Sequence, residues 1–125
     1  MPEIVTVALA TVLCFVIGAV YYGVLGNQLA TARGGEVAAP GRWTMAVEVL
    51  RCLALATVVT VLARWAGVEG WLAGLGYGLL LWVGFPLVLW IGAVAHERTP
   101  VRLAALHGGD WLVKLLALGL LVALL

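Results

Sequence analysis

The sequence predicts an all-α fold: a polytopic membrane four-helix bundle built from two helical hairpins. Three observations predict it. Hydrophobic residues make up 65% of the 125 positions and charged residues only 10%, less than half the charged share of an ordinary soluble domain. Four apolar stretches each run for about 20 residues or more, the length needed to cross a hydrocarbon core of about 30 Å. Short clusters of glycine, proline and charged residues separate them, and in lipid such runs satisfy their own backbone only as helices. The mean hydropathy of +1.16 agrees. The length suits a single integral-membrane domain over residues 1–125. A net charge of +1 without a basic cluster argues against a nucleic-acid partner.

The first span is expected from about Ile4 to Leu25. Glu3 stands where a signal peptide would be basic, and no small-residue cleavage site follows, so the segment reads as a retained span. Tyr21 and Tyr22 close it and point to different sides of the helix. One hydroxyl is expected to face the interior and the other the membrane interface. Asn27 and Gln28 follow. The connection from Gly26 to Arg42 carries Arg33, Gly34-Gly35, Glu36 and Pro40-Gly41, and reads as the longest loop, with a short interfacial helix at its start.

The second span is expected from about Trp43 to Trp65, with Glu48 and Arg51 in its first turns at a spacing that allows pairing. A tight turn over residues 66–70 leads to the third span, about Trp71 to Ala95. Its Gly74 and Gly78 form a small-xxx-small pair suited to close helix contact. Pro86 lacks a backbone donor and crowds the carbonyl of Trp82, which predicts a kink. A second tight turn, residues 96–100, is dense in charge. Pro100 then suits the first turn of the fourth span, about Val101 to Leu125.

Trp43, Trp65 and Trp71 lie at span ends and read as an interfacial aromatic belt, with Trp90 a weaker member. Trp82 and Trp111 lie deeper and are candidates to line a pocket. Arg33, Arg42, Arg98 and Arg102 flank the first and third loops, and Arg64 alone flanks the second. The positive-inside rule then places loops 26–42 and 96–100 in the cytoplasm and both termini outside, in a bacterial inner membrane.

Charge inside the apolar runs carries the functional argument. His107, Asp110 and Lys114 are spaced to share one face of the last helix. At 1.5 Å per residue, Asp110 lies roughly 12 Å and Lys114 roughly 18 Å beyond Arg102. Glu48 and Arg51 start from the same side, where Tyr21, Tyr22, Asn27, Gln28, His96 and Glu97 also fall. Polar groups therefore converge in the cytoplasmic half, and the outer half is nearly featureless. Two readings stand side by side. In one, Glu48–Arg51 and Asp110–Lys114 are self-neutralising ion pairs that cement the bundle. In the other they form one network, in which a carboxyl kept protonated by its dry surroundings serves as a general acid, Asp110 first and Glu48 second. His107 is a candidate proton shuttle or a structural hydrogen-bonded group. Candidate substrate contacts are Trp82, Trp111, Tyr21, Tyr22, Arg51, Lys114, Asn27 and Arg98, the last equally suited to lipid phosphate.

Other chemistries find no support. No His, Cys and carboxylate set has metal spacing, no glycine loop cradles phosphate, and serine does not occur. Cys14 and Cys52 read as buried small hydrophobes. No cofactor or metal is expected.

Short motifs resemble a known family. Gly18-Ala19-Val20-Tyr21-Tyr22 resembles the G-A-x-W-Y element of the bacterial domain of unknown function 1761 family. Leu80-Leu81-Trp82-Val83-Gly84-Phe85 resembles its L-L-W-x-G-F element, and Glu97-Arg98-Thr99-Pro100 with Leu103 its E-x-x-P-x-x-L turn. The resemblance implies the four-span architecture and no particular activity. Where such proteins read like N-x-G-Y-H, this chain has His107-Gly108-Gly109-Asp110-Trp111, which suggests a specialised polar cluster.

Three functions are therefore weighed. The first is a membrane-embedded enzyme doing acid–base chemistry on a lipophilic molecule, of isomerase, cyclase or hydratase type. The second is a proton- or ion-coupled transporter or channel subunit, which the one-sided polarity disfavours. The third is a structural accessory subunit. Membrane lipid is an expected partner, and a homodimer is compatible with so small a bundle.

Overall fold

The computed structural model describes residues 2–32 and 41–125. The expected turn residues Arg33, Gly34, Gly35, Glu36 and Pro40 lie outside them. Among the described residues the chain forms helices α1 (Glu3–Ala32), α2 (Arg42–Ala66), α3 (Trp71–Gly84), α4 (Pro86–Glu97) and α5 (Val101–Leu124). α3 and α4 make up one crossing, so four apolar helical segments are long enough to span a membrane. This fits a multi-pass membrane protein.

Two boundaries differ from expectation. α1 continues unbroken through Asn27 and Gln28 to Ala32, so the helical start expected of the first connection is the end of the first helix. Nothing between Leu25 and Ala32 forbids helix, and Leu29 is buried and anchors the added turns. The third crossing is divided in two. Pro86 has no N–H to give and occupies the first turn of α4. Phe85, between the two helices, still bonds the carbonyl of Leu81 at 3.0 Å.

The crossings alternate in direction. At the end where α1 starts and α5 finishes (the terminal end), Arg64 Nε donates to Glu3 Oε1 at 3.0 Å and its Nη1 to the Val122 carbonyl at 3.0 Å. One side chain thus ties α1, α2 and α5 together. Gly67, with φ +68°, closes α2 in the left-handed conformation, and the amide of Val68 reaches back to Ala63 at 2.9 Å. At the opposite end, the α4–α5 end, Arg98 takes the same left-handed cap position at φ 56°, with the amide of Thr99 on the Ala93 carbonyl at 3.1 Å.

α5 packs against every other helix and is the axis of the bundle. Its closest partner is α3. A Cβ on Gly78 would strike the Leu115 backbone, and one on Gly74 would meet Gly119 O at 2.6 Å. The small-xxx-small pair therefore finds its counterpart in Gly119. Lipid tails give helices no hydrophobic reason to associate, so this backbone-to-backbone fit supplies the adhesion through van der Waals contact. Below it, Val59, Leu118 and Val122 are fully packed with Thr6 and Thr60. The Thr60 hydroxyl is satisfied by the Ala56 carbonyl at 2.7 Å. The half of the bundle toward the terminal end is thus a dry core. The large side chains left exposed, such as Val12, Leu50, Leu80 and Leu89, face where lipid would be.

Candidate functional site

Lys114 organises the polar centre. It lies just past the middle of α5, but a helical side chain points back toward the N-terminus, so its ammonium is carried toward the α4–α5 end. There Nζ donates to Asp110 Oδ2 at 2.8 Å and stands 3.9 Å from Glu48 Oε1. Glu48 Oε2 in turn accepts from Arg51 Nη1 at 2.7 Å. The two ion pairs weighed from the sequence therefore both form, and Lys114 joins them into one chain of alternating charge. Exposure falls along it: the Arg51 side chain is 59% exposed, Glu48 32%, Lys114 6% and Asp110 4%. The network leads from the bundle surface to its interior and carries no net charge.

The motif Gly18-Ala19-Val20-Tyr21-Tyr22 has a physical role here. A Cβ on Gly18 would stand 3.2 Å from Lys114 Nζ, so the bare backbone gives the ammonium room. Both tyrosines turn toward α5. Tyr21 donates to the Leu106 carbonyl at 2.6 Å, and the Tyr22 hydroxyl meets His107 Nδ1 at 2.6 Å. This corrects the expectation that one hydroxyl would remain at the interface. The rings stack edge-on with centroids 5.2 Å apart, which lets neighbouring residues serve the same helix. Gly109 makes this possible, because a Cβ there would meet the Tyr21 hydroxyl at 2.5 Å.

A cleft of about 700 Å³ lies between α1, α2, α4 and α5, with Glu48, Arg51, His107, Asp110 and Lys114 on its polar side. Phe15, Gly18, Ala19, Leu29, Met45, Trp90 and Trp111 supply apolar walls, and Tyr22 and Thr44 add hydroxyl groups. Of the expected substrate contacts, Trp111, Tyr22, Arg51 and Lys114 line it.

The others do not. Trp82 donates its indole N–H to the Gly108 carbonyl at 2.9 Å and clamps the end of α3 to α5. It borders a separate lipid-facing cleft with Trp90 and Ala105. Its position beside the helix break turns it along α5 instead of toward the charges. Tyr21 is spent on α5 backbone. Asn27 is exposed on the extended α1, and Arg98 is exposed at the α4–α5 turn, neither bordering the cleft.

Sequence reasoning undervalued Trp90. Its ring stacks on His107 with centroids 5.0 Å apart and planes at 17°. Its nearness to a span end suggested a belt residue, but the break at Phe85 re-aims α4 and brings it inward. Two polar atoms of cleft-lining residues, Asp110 Oδ1 and Trp90 Nε1, are fully buried with no protein partner among the described residues. Cys14 and Cys52 are both buried in the core, and the Cys52 thiol lies 3.8 Å from Glu48 Oε1. No group of His, Cys, Asp and Glu suited to a metal ion occurs among the described residues.

A family model described as a protein of unknown function (DUF1761) matches residues 5–123. No curated protein and no solved structure matches.

Proposed function

We propose that this chain, which belongs to the DUF1761 family of proteins of unknown function, performs acid–base chemistry on a lipophilic small molecule in the bacterial inner membrane. One observation carries the reading. A carboxylate that is almost wholly buried, paired to a lysine through one oxygen and unpartnered at the other, borders a cleft whose remaining walls are largely apolar. Buried ionisable groups in a membrane are costly and commonly mark function. Isomerisation, cyclisation and hydration all move protons without net oxidation, and carboxyl, amine and imidazole groups suffice for them. Asp110 is the proposed acid–base group: as the carboxylate paired to Lys114 it takes a proton from the substrate, and once protonated it returns that proton as the acid. Lys114 and Glu48 hold it in place, and His107, oriented by Tyr22 and backed by Trp90, takes up or returns the proton. Trp111 forms the apolar wall. With Arg42, Arg98 and Arg102 at the α4–α5 end, the positive-inside rule puts the cleft on the cytoplasmic side and the termini outside.

The test is a comparison of lipophilic extracts from membranes expressing the native chain or Asp110→Asn. A compound altered by isomerisation or by one water is expected with the native chain and absent with a variant that purifies at equal yield. The same product at the same level with Asp110→Asn would sink the reading.

The closed ion pairs also suit a purely structural subunit, in which case neither extract would change and a partner chain would co-purify. Transport is served less well, because among the described residues Val59, Leu118 and Val122 fill the half toward the terminal end and leave no continuous polar path.

A further inference from the structure

The acid–base reading leaves two nucleophilic groups idle, the thiols of Cys14 and Cys52, the only cysteines in the chain. Cys14 is on α1 and Cys52 on α2, each 2% exposed. Their side chains interact with one another across the packed interface of those two helices. The Cys52 thiol also donates to Glu48 Oε1 at 3.8 Å. The same carboxylate oxygen stands 3.9 Å from Lys114 Nζ. Thiol, thiol, carboxylate and ammonium therefore follow one another in a row.

The sequence permits the close approach. Cys14 shares a helix face with Ala10 and Gly18, and Cys52 shares one with Ala56. Ala10 and Ala56 are wholly buried. Small residues let helix backbones come near one another, as a disulfide requires, since its Cα atoms lie within about 7 Å. Both cysteines border an opening of about 370 Å³ between α2 and α5, with Arg51, Lys114 and Trp111 also on its walls. Val58, on the same opening, is 54% exposed, so the space gives onto lipid.

We infer that Cys14 and Cys52 are a redox-active dithiol that a lipid-dissolved quinone oxidises to a disulfide. The inference goes beyond the acid–base reading and does not rest on it. The oxidant is lipophilic because the thiols lie within membrane-spanning helices and have almost no contact with solvent. Closing a disulfide releases two electrons and two protons, and a quinone takes up both. Its flat ring suits the Trp111 wall, and its oxygens accept hydrogen bonds, for which Arg51 and Lys114 are donors.

The thiolate is the attacking form. Glu48 takes the proton of Cys52, and the sulfur adds to a ring carbon of the quinone. An S–C bond forms, an electron pair moves onto one ring oxygen, and that oxygen takes the proton from Glu48. Cys14 then gives its proton to Glu48, and its sulfur attacks Cys52 Sγ. The S–S bond forms and the S–C bond breaks. The released pair passes through the ring to the second oxygen, which takes the second proton. Two thiols have become a disulfide and the quinone a hydroquinone.

The experiment adds a decyl-substituted benzoquinone to the reduced native chain in lipid nanodiscs. Quinone absorbance is followed, and free thiols are counted with a maleimide after denaturation. One quinone reduced per chain and loss of both thiols within a monomer are expected. Cys52→Ser should leave the quinone unreduced and Cys14 open to alkylation. Cys14→Ala should stop at the quinone bonded to Cys52, seen as added mass. Glu48→Gln should slow the reaction roughly a hundredfold, the lower end for a positioned proton acceptor. It should still close the disulfide fully with copper phenanthroline, which shows that it folds. A sulfonated quinone confined to water should react far more slowly than the lipophilic one. The inference is overturned if copper phenanthroline closes no disulfide in the native chain, or links two copies instead. It is equally overturned if the disulfide closes but no quinone is reduced, or if the sulfonated quinone keeps pace. The Asp110→Asn extract comparison reads other atoms, so the two readings stand or fall separately.

Discussion

At the scale of single residues, Lys114 is the group on which the others depend. It stands opposite two carboxylates, and neither Asp110 nor Lys114 has appreciable contact with solvent. Deleting one partner of a buried pair leaves an uncompensated charge, at a cost of about 3–5 kcal/mol. Lys114→Met is therefore expected to destabilise the bundle by that order, measured by unfolding in mixed detergent. Adding Asp110→Leu should recover most of the loss, because no uncompensated charge is then left in the interior and Glu48 keeps its Arg51 partner. If the double variant is as unstable as the single, the pair is not the relevant unit. The chemistry of these residues was legible in the sequence, since their spacing on one helix face and their cost in lipid are local facts. That Glu48 joins them was one of two readings the sequence left open, because nothing in α2 specifies its rotation relative to α5. Trp90 was misjudged for the same reason, its aim being set by a break five residues earlier.

At the scale of elements, the helices are held by backbone proximity and finished by left-handed caps. Gly78 abuts the Leu115 backbone, whereas Gly76, on the same helix, has open space. Gly78→Ala is expected to cost about 1–3 kcal/mol through overpacking, and Gly76→Ala to be neutral or slightly stabilising. Thermal melting of the two variants in one detergent makes the comparison. Arg98 is the one described non-glycine residue with positive φ, a conformation that costs an L-residue about 1–2 kcal/mol. Arg98→Gly should therefore stabilise the protein by about 1 kcal/mol, seen as a raised Tm. A lowered Tm would show that the arginine side chain compensates for its backbone. The small-xxx-small pair and the proline break were both readable from residue type. The helical start of the first connection was read as a separate interfacial piece, whereas it is continuous with α1 to Ala32, since a helix can carry polar residues past the membrane edge.

At the scale of the whole molecule, the fold is asymmetric. One half is a packed apolar core closed by the Glu3–Arg64 pair, and the other holds the charges, the tyrosines and the cleft. The proposed orientation predicts that a cysteine placed at Glu69 reacts with a membrane-impermeant maleimide added to intact cells, and one at Arg98 only after permeabilisation. Cys14 and Cys52 are each 2% exposed and should give little background. The reverse pattern would invert the orientation and place the cleft on the outer face. By itself the sequence determined that the chain is a four-crossing helical bundle of the DUF1761 family with charge gathered toward one end. Those properties follow from hydropathy, helix periodicity and short motifs, all of which act along the chain. Only the tertiary structure decided that α5 is the axis, that two ion pairs become one network, and that a cleft opens beside that network. Such facts depend on how each helix is rotated about its own axis, and that rotation is fixed by packing between residues far apart in sequence.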